Sequence, residues 1–176
     1  RTVGGVDFFP NMPTEEIFCT PDKNRVDGVV YSALPLNYQG TLIDRFHLRF
    51  QGGVVTEAHA ETGGDALNAL LETDEGARRL GELALIPKQS PLSEMGILFY
   101  NTLFDENAAC HFALGKGFPE CIENGLTMTP EQLEQKGMND SATHVDFMFG
   151  TGDLCATGFD KKGNAVPVFR DGGWAE

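Results

Sequence analysis

Residues 41–51 constrain the fold more than any other stretch. Phe46, Leu48 and Phe50 alternate with Arg45, His47 and Arg49, the period of two that a half-buried antiparallel strand requires. Gly52-Gly53 comes next, and then Val54-Val55-Thr56-Glu57-Ala58, so the chain turns back and pairs with itself. Val26 and Val29-Val30-Tyr31 supply a further strand, joined to this pair by a connection over 35–40. The sequence holds 21 glycines, which suits a turn-rich, β-rich chain better than a helical bundle.

Helical periodicity is clearest in 64–80, where Leu67, Leu70 and Leu71 share one face. Asp74 is placed to cap a second short helix over 75–80, with Arg78 and Arg79 near its C-terminal end. Strands are expected at 82–87, stopped by Pro87, and at 96–100, 111–115 and 144–149. A hairpin is expected over 155–170 around Lys161-Lys162-Gly163-Asn164. A short helix or turn is expected at 105–109, and Thr129 and Pro130 open a helix that Gly137 closes. Residues 1–22 read as extended, with Pro13 biasing Met12 away from helix and with Ile17 and Phe18 packing inward. The fold class is therefore α+β, mainly antiparallel or mixed β-sheet with a few short helices. A length of 176 residues suits one domain, 1–176.

A formal net charge of -13 argues against nucleic acid as a partner, because a phosphate backbone must be met by Lys and Arg. It argues equally against an anionic membrane surface, and no apolar run is long enough to span a bilayer. The charge fits a bound divalent cation, a cationic ligand or plain solubility. Cys19, Cys110, Cys121 and Cys155 form no CxxC pair and no zinc-ribbon or disulfide pattern. Free thiols in a reducing, cytoplasmic setting are the simpler expectation.

Four clusters hold most of the residues able to bind a metal. In His144-Val145-Asp146 a strand would put the imidazole and the carboxylate on one face, about 7 Å apart, while Val145, Phe147 and Phe149 face a core. Taken alone, the tripeptide reads more readily as a salt-bridged surface pair than as a metal site. Glu106 and His111 flank Asn107-Ala108-Ala109-Cys110, which is not the HExxH helix of zinc proteases. Neighbours on a strand face opposite sides, so Cys110 and His111 are badly placed as a nucleophile pair. Glu82 stands at the start of an apolar run and needs a partner there. Glu15-Glu16 could be a solvated turn, or a metal ligand beside a general base. His47 shares a polar strand face with Arg45 and Arg49, and with His59 it is left outside the site.

Together these stretches resemble the aminopeptidase T family of bacterial metallo-aminopeptidases, the thermophilic or M29 type. The resemblance rests on 11–18 (NMPTEEIF), 74–87 (DEGARRLGELALIP), 101–111 (NTLFDENAACH) and 144–148 (HVDFM), in family order. It implies an exopeptidase site with two divalent metal ions, zinc or cobalt usually, manganese or magnesium as alternatives. The family's ligand pattern falls on Glu16, Glu82, His111, His144 and Asp146, with Glu106 a further ligand candidate. By analogy with other two-metal aminopeptidases, Glu15 is the catalytic base. The resemblance further implies peptide substrates with a free N-terminus and a homodimer of a longer protein, of which this chain is the C-terminal half. One departure stands out at a substrate-binding position, because Phe118 occupies the place of a family Tyr and cannot offer its hydroxyl. The alternatives are an isolated metal-binding domain, inactive without an N-terminal partner domain, and an acidic β-rich binding module.

Overall fold

The structure, a computed structural model, describes residues 4–7 and 15–175. The elements in chain order are β1 (Ile17–Cys19), β2 (Gly28–Tyr31), β3 (Leu36–Tyr38), β4 (Thr41–Gln51), β5 (Val54–Thr62), α1 (Gly64–Leu71), β6 (Leu80–Leu85), α2 (Pro91–Met95), α3 (Thr102–Glu106), β7 (His111–Gly115), α4 (Pro130–Gln135), β8 (His144–Met148), β9 (Ala156–Phe159), β10 (Ala165–Arg170) and β11 (Gly173–Trp174). The α+β expectation holds, since every strand pairing is antiparallel and the helices are short.

The alternation in β4 builds the core. Phe46, Leu48 and Phe50 are buried, and β4 pairs with β2 and β5 along its C-terminal half and with β3 at its start. Helix α1 lays Leu67, Leu70 and Leu71 against this face. A second sheet, in the order β1-β6-β7-β8, closes the core from the other side with Leu80, Leu114 and Phe147. The Phe147 ring meets Phe46 at 5.5 Å, so the two sheets touch directly.

The second sheet has two chemically distinct faces. Across its ladders Phe112 and Phe147 align, as do Leu114 and Val145, and these face the core. The intervening rows place Glu82, Ala113 and Asp146 together, and Ala84 with His111. Successive strand residues point to opposite faces, so the acids and imidazoles project away from the core. Leu80 and Glu82 are two apart and would ordinarily share a face. A bulge at Gly81 breaks that rule: Leu80 pairs with Leu114 and Glu82 with Ala113, the next residue back. Leu80 therefore enters the core while Glu82 turns outward. The bulge needs glycine, because a Cβ at Gly81 would lie 2.2 Å from the Lys116 carbonyl oxygen.

Several expectations are corrected. The connection over 35–40 carries β3, and β5 runs on to Thr62. The helical stretch 64–80 ends at Leu71, and the second short helix is a single turn of 3-10 helix at Gly76–Arg78. Asp74 does cap that turn, accepting from the Ala77 N–H at 2.8 Å, but Leu80 is already committed to β6. Residues 96–100 form no strand, and helix α2 precedes them, opened by Ser90 as N-cap and Pro91 in its first turn. Ile17 and Phe18 are exposed rather than packed inward, because among the described residues β1 is an edge strand paired only with β6. The expectation for Met12 and Pro13 lies outside the described residues. The helix from Thr129 closes a reciprocal capping box with Gln132.

Gly81→Ala should cost about 1–3 kcal/mol through overpacking against Lys116, read as a lowered midpoint in chemical denaturation. An unchanged midpoint would mean that the bulge does not depend on the missing side chain.

Candidate metal centre

The outward face of the second sheet gathers six side chains from five segments. Glu82 sits at the middle on β6. His144 and Asp146 come from β8, His111 from the start of β7, Glu106 from the end of α3, and Glu16 from the residue before β1. Ala84 and Ala113, both fully buried, align with them in the ladders. Their short side chains leave the face open for the longer acids and imidazoles to converge.

The contacts define two groups that share one member. Glu16, Glu82 and His111 offer ligand atoms within 4.8 Å of one another, and so do Glu82, His144 and Asp146. His111 Nε2 lies 3.2 Å from Glu16 Oε2. His144 Nε2 lies 3.1 Å from Glu82 Oε2 and 3.4 Å from Asp146 Oδ1. Each imidazole uses its other nitrogen on the backbone: His144 Nδ1 is 2.7 Å from the Lys116 carbonyl and His111 Nδ1 is 3.1 Å from that of Ala109. A donated Nδ1–H fixes the ring and aims the Nε2 lone pair of the neutral form into the cluster, the arrangement metal-binding histidines use.

The electrostatics are those of a site short of positive charge. Four carboxyl groups meet two imidazoles, and Glu82, Asp146 and His111 are buried. Among the described residues, the ion pairs of Glu16, Glu82 and Asp146 run to His111 and His144, not to Lys or Arg. Burial, together with the neighbouring Asp146 charge, pushes the Glu106 carboxyl up to about 8, so one acid of the four keeps its proton at neutral pH. Burial opposes the charge on His111, but the Glu16 carboxylate outweighs it and raises the imidazole to about 9. For His144 burial is likewise overcome, by Asp146 and Glu82, and the imidazole rises to about 10. Burial opposes ionisation of Asp146 too, and the facing imidazoles hold its carboxyl below the usual range. Glu16 Oε2 and Asp146 Oδ1 are buried without a hydrogen-bond partner in line, although each lies within ion-pair range of an imidazole. Lone pairs of this kind are costly unless a cation or a proton takes them. The nitrogen and carboxylate donors suit a divalent metal of the zinc, cobalt, manganese and magnesium set.

Glu15 is exposed beside Glu16, and its backbone N–H donates to Asn107 Oδ1 at 2.9 Å. The Phe118 ring stands 4.9 Å from His144 and edge-on to Phe18 at 5.3 Å. Its backbone N–H is held at 2.8 Å by Thr20 Oγ1. His47 and His59 face each other across β4 and β5, with His47 near Glu57, and neither belongs to the cluster. Cys110 is buried against the Ile86 backbone, and burial pushes its thiol up, the reverse of what a nucleophile needs. Sequence reasoning does not find the Gly81 bulge, the alanine floor or Asn107. Gly81 and Ala113 carry no signal by themselves, since only the pairing of β6 with β7 gives them meaning.

A model of the family described as thermophilic metalloprotease (M29) matches residues 1–174. Aminopeptidase 2 of Geobacillus stearothermophilus is 55% identical over 171 residues, 97% of this chain and 41% of that protein. Aminopeptidase T of Thermus aquaticus is 45% identical over 165 residues, 94% of this chain and 40% of that protein. A solved structure, wild-type AmpT from Thermus thermophilus, superposes with a TM-score of 0.89 at 44% identity, covering 95% of this chain and 41% of that one. The chain thus spans about two fifths of the length of these relatives.

The protonation pattern sets a pH dependence for the metal-free protein. The folded pKa values of His111 and His144 lie above the ordinary 6.5, so their stabilisation is full below about 6.5 and lost as pH rises through 9 and 10. Glu106 acts in the same direction between its ordinary 4.5 and about 8. Thermal unfolding of chelator-treated protein should therefore fall from pH 6 to pH 10, and a His111→Gln/His144→Gln variant should lose most of that slope. Identical slopes in the two proteins would contradict the assignment.

Proposed function

The chain belongs to the M29 family of thermophilic metalloproteases, and on that footing we propose that residues 1–176 are one metal-binding catalytic unit of an aminopeptidase that removes N-terminal residues from peptides. The observation that carries this reading is the position of Glu82 in both ligand groups. A carboxylate shared in this way would be available to two ions at once. In this reading Glu16 and His111 would hold one ion, His144 and Asp146 would hold the other, and Glu82 would be common to both, with Glu106 a further candidate beside Asp146. The relatives' names, aminopeptidase 2 and aminopeptidase T, support the reaction class.

Paired divalent ions, when bound, lower the pKa of a water and polarise a carbonyl oxygen. The remaining tasks fall to the chain itself. Glu15 accepts the proton of the attacking water and returns it to the leaving amine nitrogen, a role its neighbour Glu16 cannot share while ligating. The free carboxylate charge of the cluster attracts the α-ammonium of a peptide N-terminus. His144 keeps its Nδ1 proton on the Lys116 carbonyl and so presents Nε2 without reorganising. Phe118 lines the site with an apolar ring where the family resemblance calls for a Tyr hydroxyl, so its contribution to substrate binding is contact rather than a hydrogen bond. Zinc and cobalt are the first choices for the ions, with manganese and magnesium behind them. Free cysteines, among the described residues all four, fit a cytoplasmic enzyme, and the resemblance carries a homodimer of the longer protein.

One observation favours a second reading. The chain spans 41% of aminopeptidase 2, and an exopeptidase needs walls that admit only a chain end. On this reading the stretch binds metal and turns over nothing until joined to the rest.

Hydrolysis of leucine p-nitroanilide separates these readings. The metal-loaded protein should cleave it and lose activity with chelator, and Glu82→Gln should lose both the ions and the activity. Glu15→Gln should keep its ions and lower kcat by about 10²–10⁴-fold, the usual worth of a general base. Metal binding without turnover, in this chain and in any longer form that contains it, would refute the aminopeptidase reading.

A further inference from the structure

We infer that Asn107 is a positioning residue for the metal centre, holding Glu16 in register with the rest of the ligands from a distant part of the chain. The inference rests on the two-ion reading above. Glu16 lies one residue before the β1–β6 ladder, whose first pair is Ile17 with Leu85. Sheet hydrogen bonding therefore fixes Ile17 and leaves the ligand's own backbone outside the ladder. The side chain of Asn107 supplies the missing anchor, with Oδ1 accepting the Glu15 N–H at 2.9 Å across a separation of 92 residues.

Asn107 is itself immobilised on every side. It is fully buried. Its Nδ2 donates to the Leu103 carbonyl at 3.0 Å, which settles which end of the amide faces Glu15. Its backbone carbonyl accepts from Ser90 Oγ at 3.4 Å. It also comes directly after Glu106, so the same rigid point that holds Glu16 through the side chain carries a further candidate ligand through the chain. A ligand displaced by about 1 Å loses most of its value to a metal or to catalysis. Among the described residues the side-chain hydrogen bonds of Asn107 run to the Glu15 and Leu103 backbone and not to a ligand atom, so its action is on geometry.

A structural residue would lower stability and weaken both ions together, whereas a positioning residue for Glu16 should weaken one. Isothermal titration of the metal-free full chain with zinc gives both affinities. Asn107→Ala should weaken the ion at Glu16 and His111 by at least about tenfold while the ion at His144 and Asp146 stays within about threefold. Asp105→Asn is the control, because Asp105 anchors the same segment through the Phe99 and Asn101 N–H groups without reaching Glu15. It should lower Tm and leave the ratio of the two affinities unchanged. If Asn107→Ala does not fold, Asn107→Asp answers the question: it keeps the acceptor for Glu15, loses the donor to Leu103, and should bind the first ion no more weakly than the parent. Equal weakening of both ions in Asn107→Ala, or a tenfold loss in folded Asn107→Asp, would overturn the positioning role alone. A single zinc site in the unsubstituted chain would overturn the two-ion reading and this inference with it.

Discussion

Everything at this centre depends on a buried carboxylate that faces away from the core, Glu82. Its strand is otherwise an apolar one, and a regular strand would have put Glu82 on the same side as Leu80, among leucines and phenylalanines. Gly81 takes up the one-residue slip between β6 and β7, and the slip turns the acid toward His144, Asp146 and His111. The cost of desolvating such a charge is several kcal/mol unless it is paired. Its partner His144 is only partly exposed and pairs in turn with the buried Asp146, so the cluster is stable as a set. Two imidazoliums and one retained proton balance part of its charge in the metal-free state, and two divalent ions would balance it more completely.

The same sheet serves stability and chemistry with its two faces. Phe112, Leu114 and Phe147 on one side close the core begun by β4. Their immediate neighbours Ala113 and Asp146 lie on the other. A site built in this way inherits the rigidity of the core, because a ligand cannot move without moving a core residue next to it. The exceptions are Glu16 and Glu106, candidate ligands that lie just outside the ladders, where Asn107 sits between their segments.

Much of this is legible in the sequence, for identifiable reasons. The alternation over 41–51 and the Gly-Gly turn describe local geometry, and local geometry is what a period of two records. His144 and Asp146 share a face as their spacing requires. The convergence of Glu16, Glu82, His111 and His144 is reached only through resemblance, since their sequence separations carry no distance information. A strand at 96–100 does not form because an apolar run does not reveal whether a partner edge is available, and the Ser90-Pro91 start of α2 is the stronger signal. Ile17 and Phe18 depart from expectation for a related reason: hydrophobicity does not say whether a strand is central or at an edge. The Gly81 bulge is a property of two strands together, so neither strand's sequence announces it.

The most direct test of the two-ion centre is anomalous diffraction from crystals of the zinc-loaded protein. Two peaks are expected, one in contact with Glu16, Glu82 and His111 and the other with Glu82, His144 and Asp146. A single peak, or peaks that leave Glu82 uncoordinated, would contradict the shared-carboxylate account.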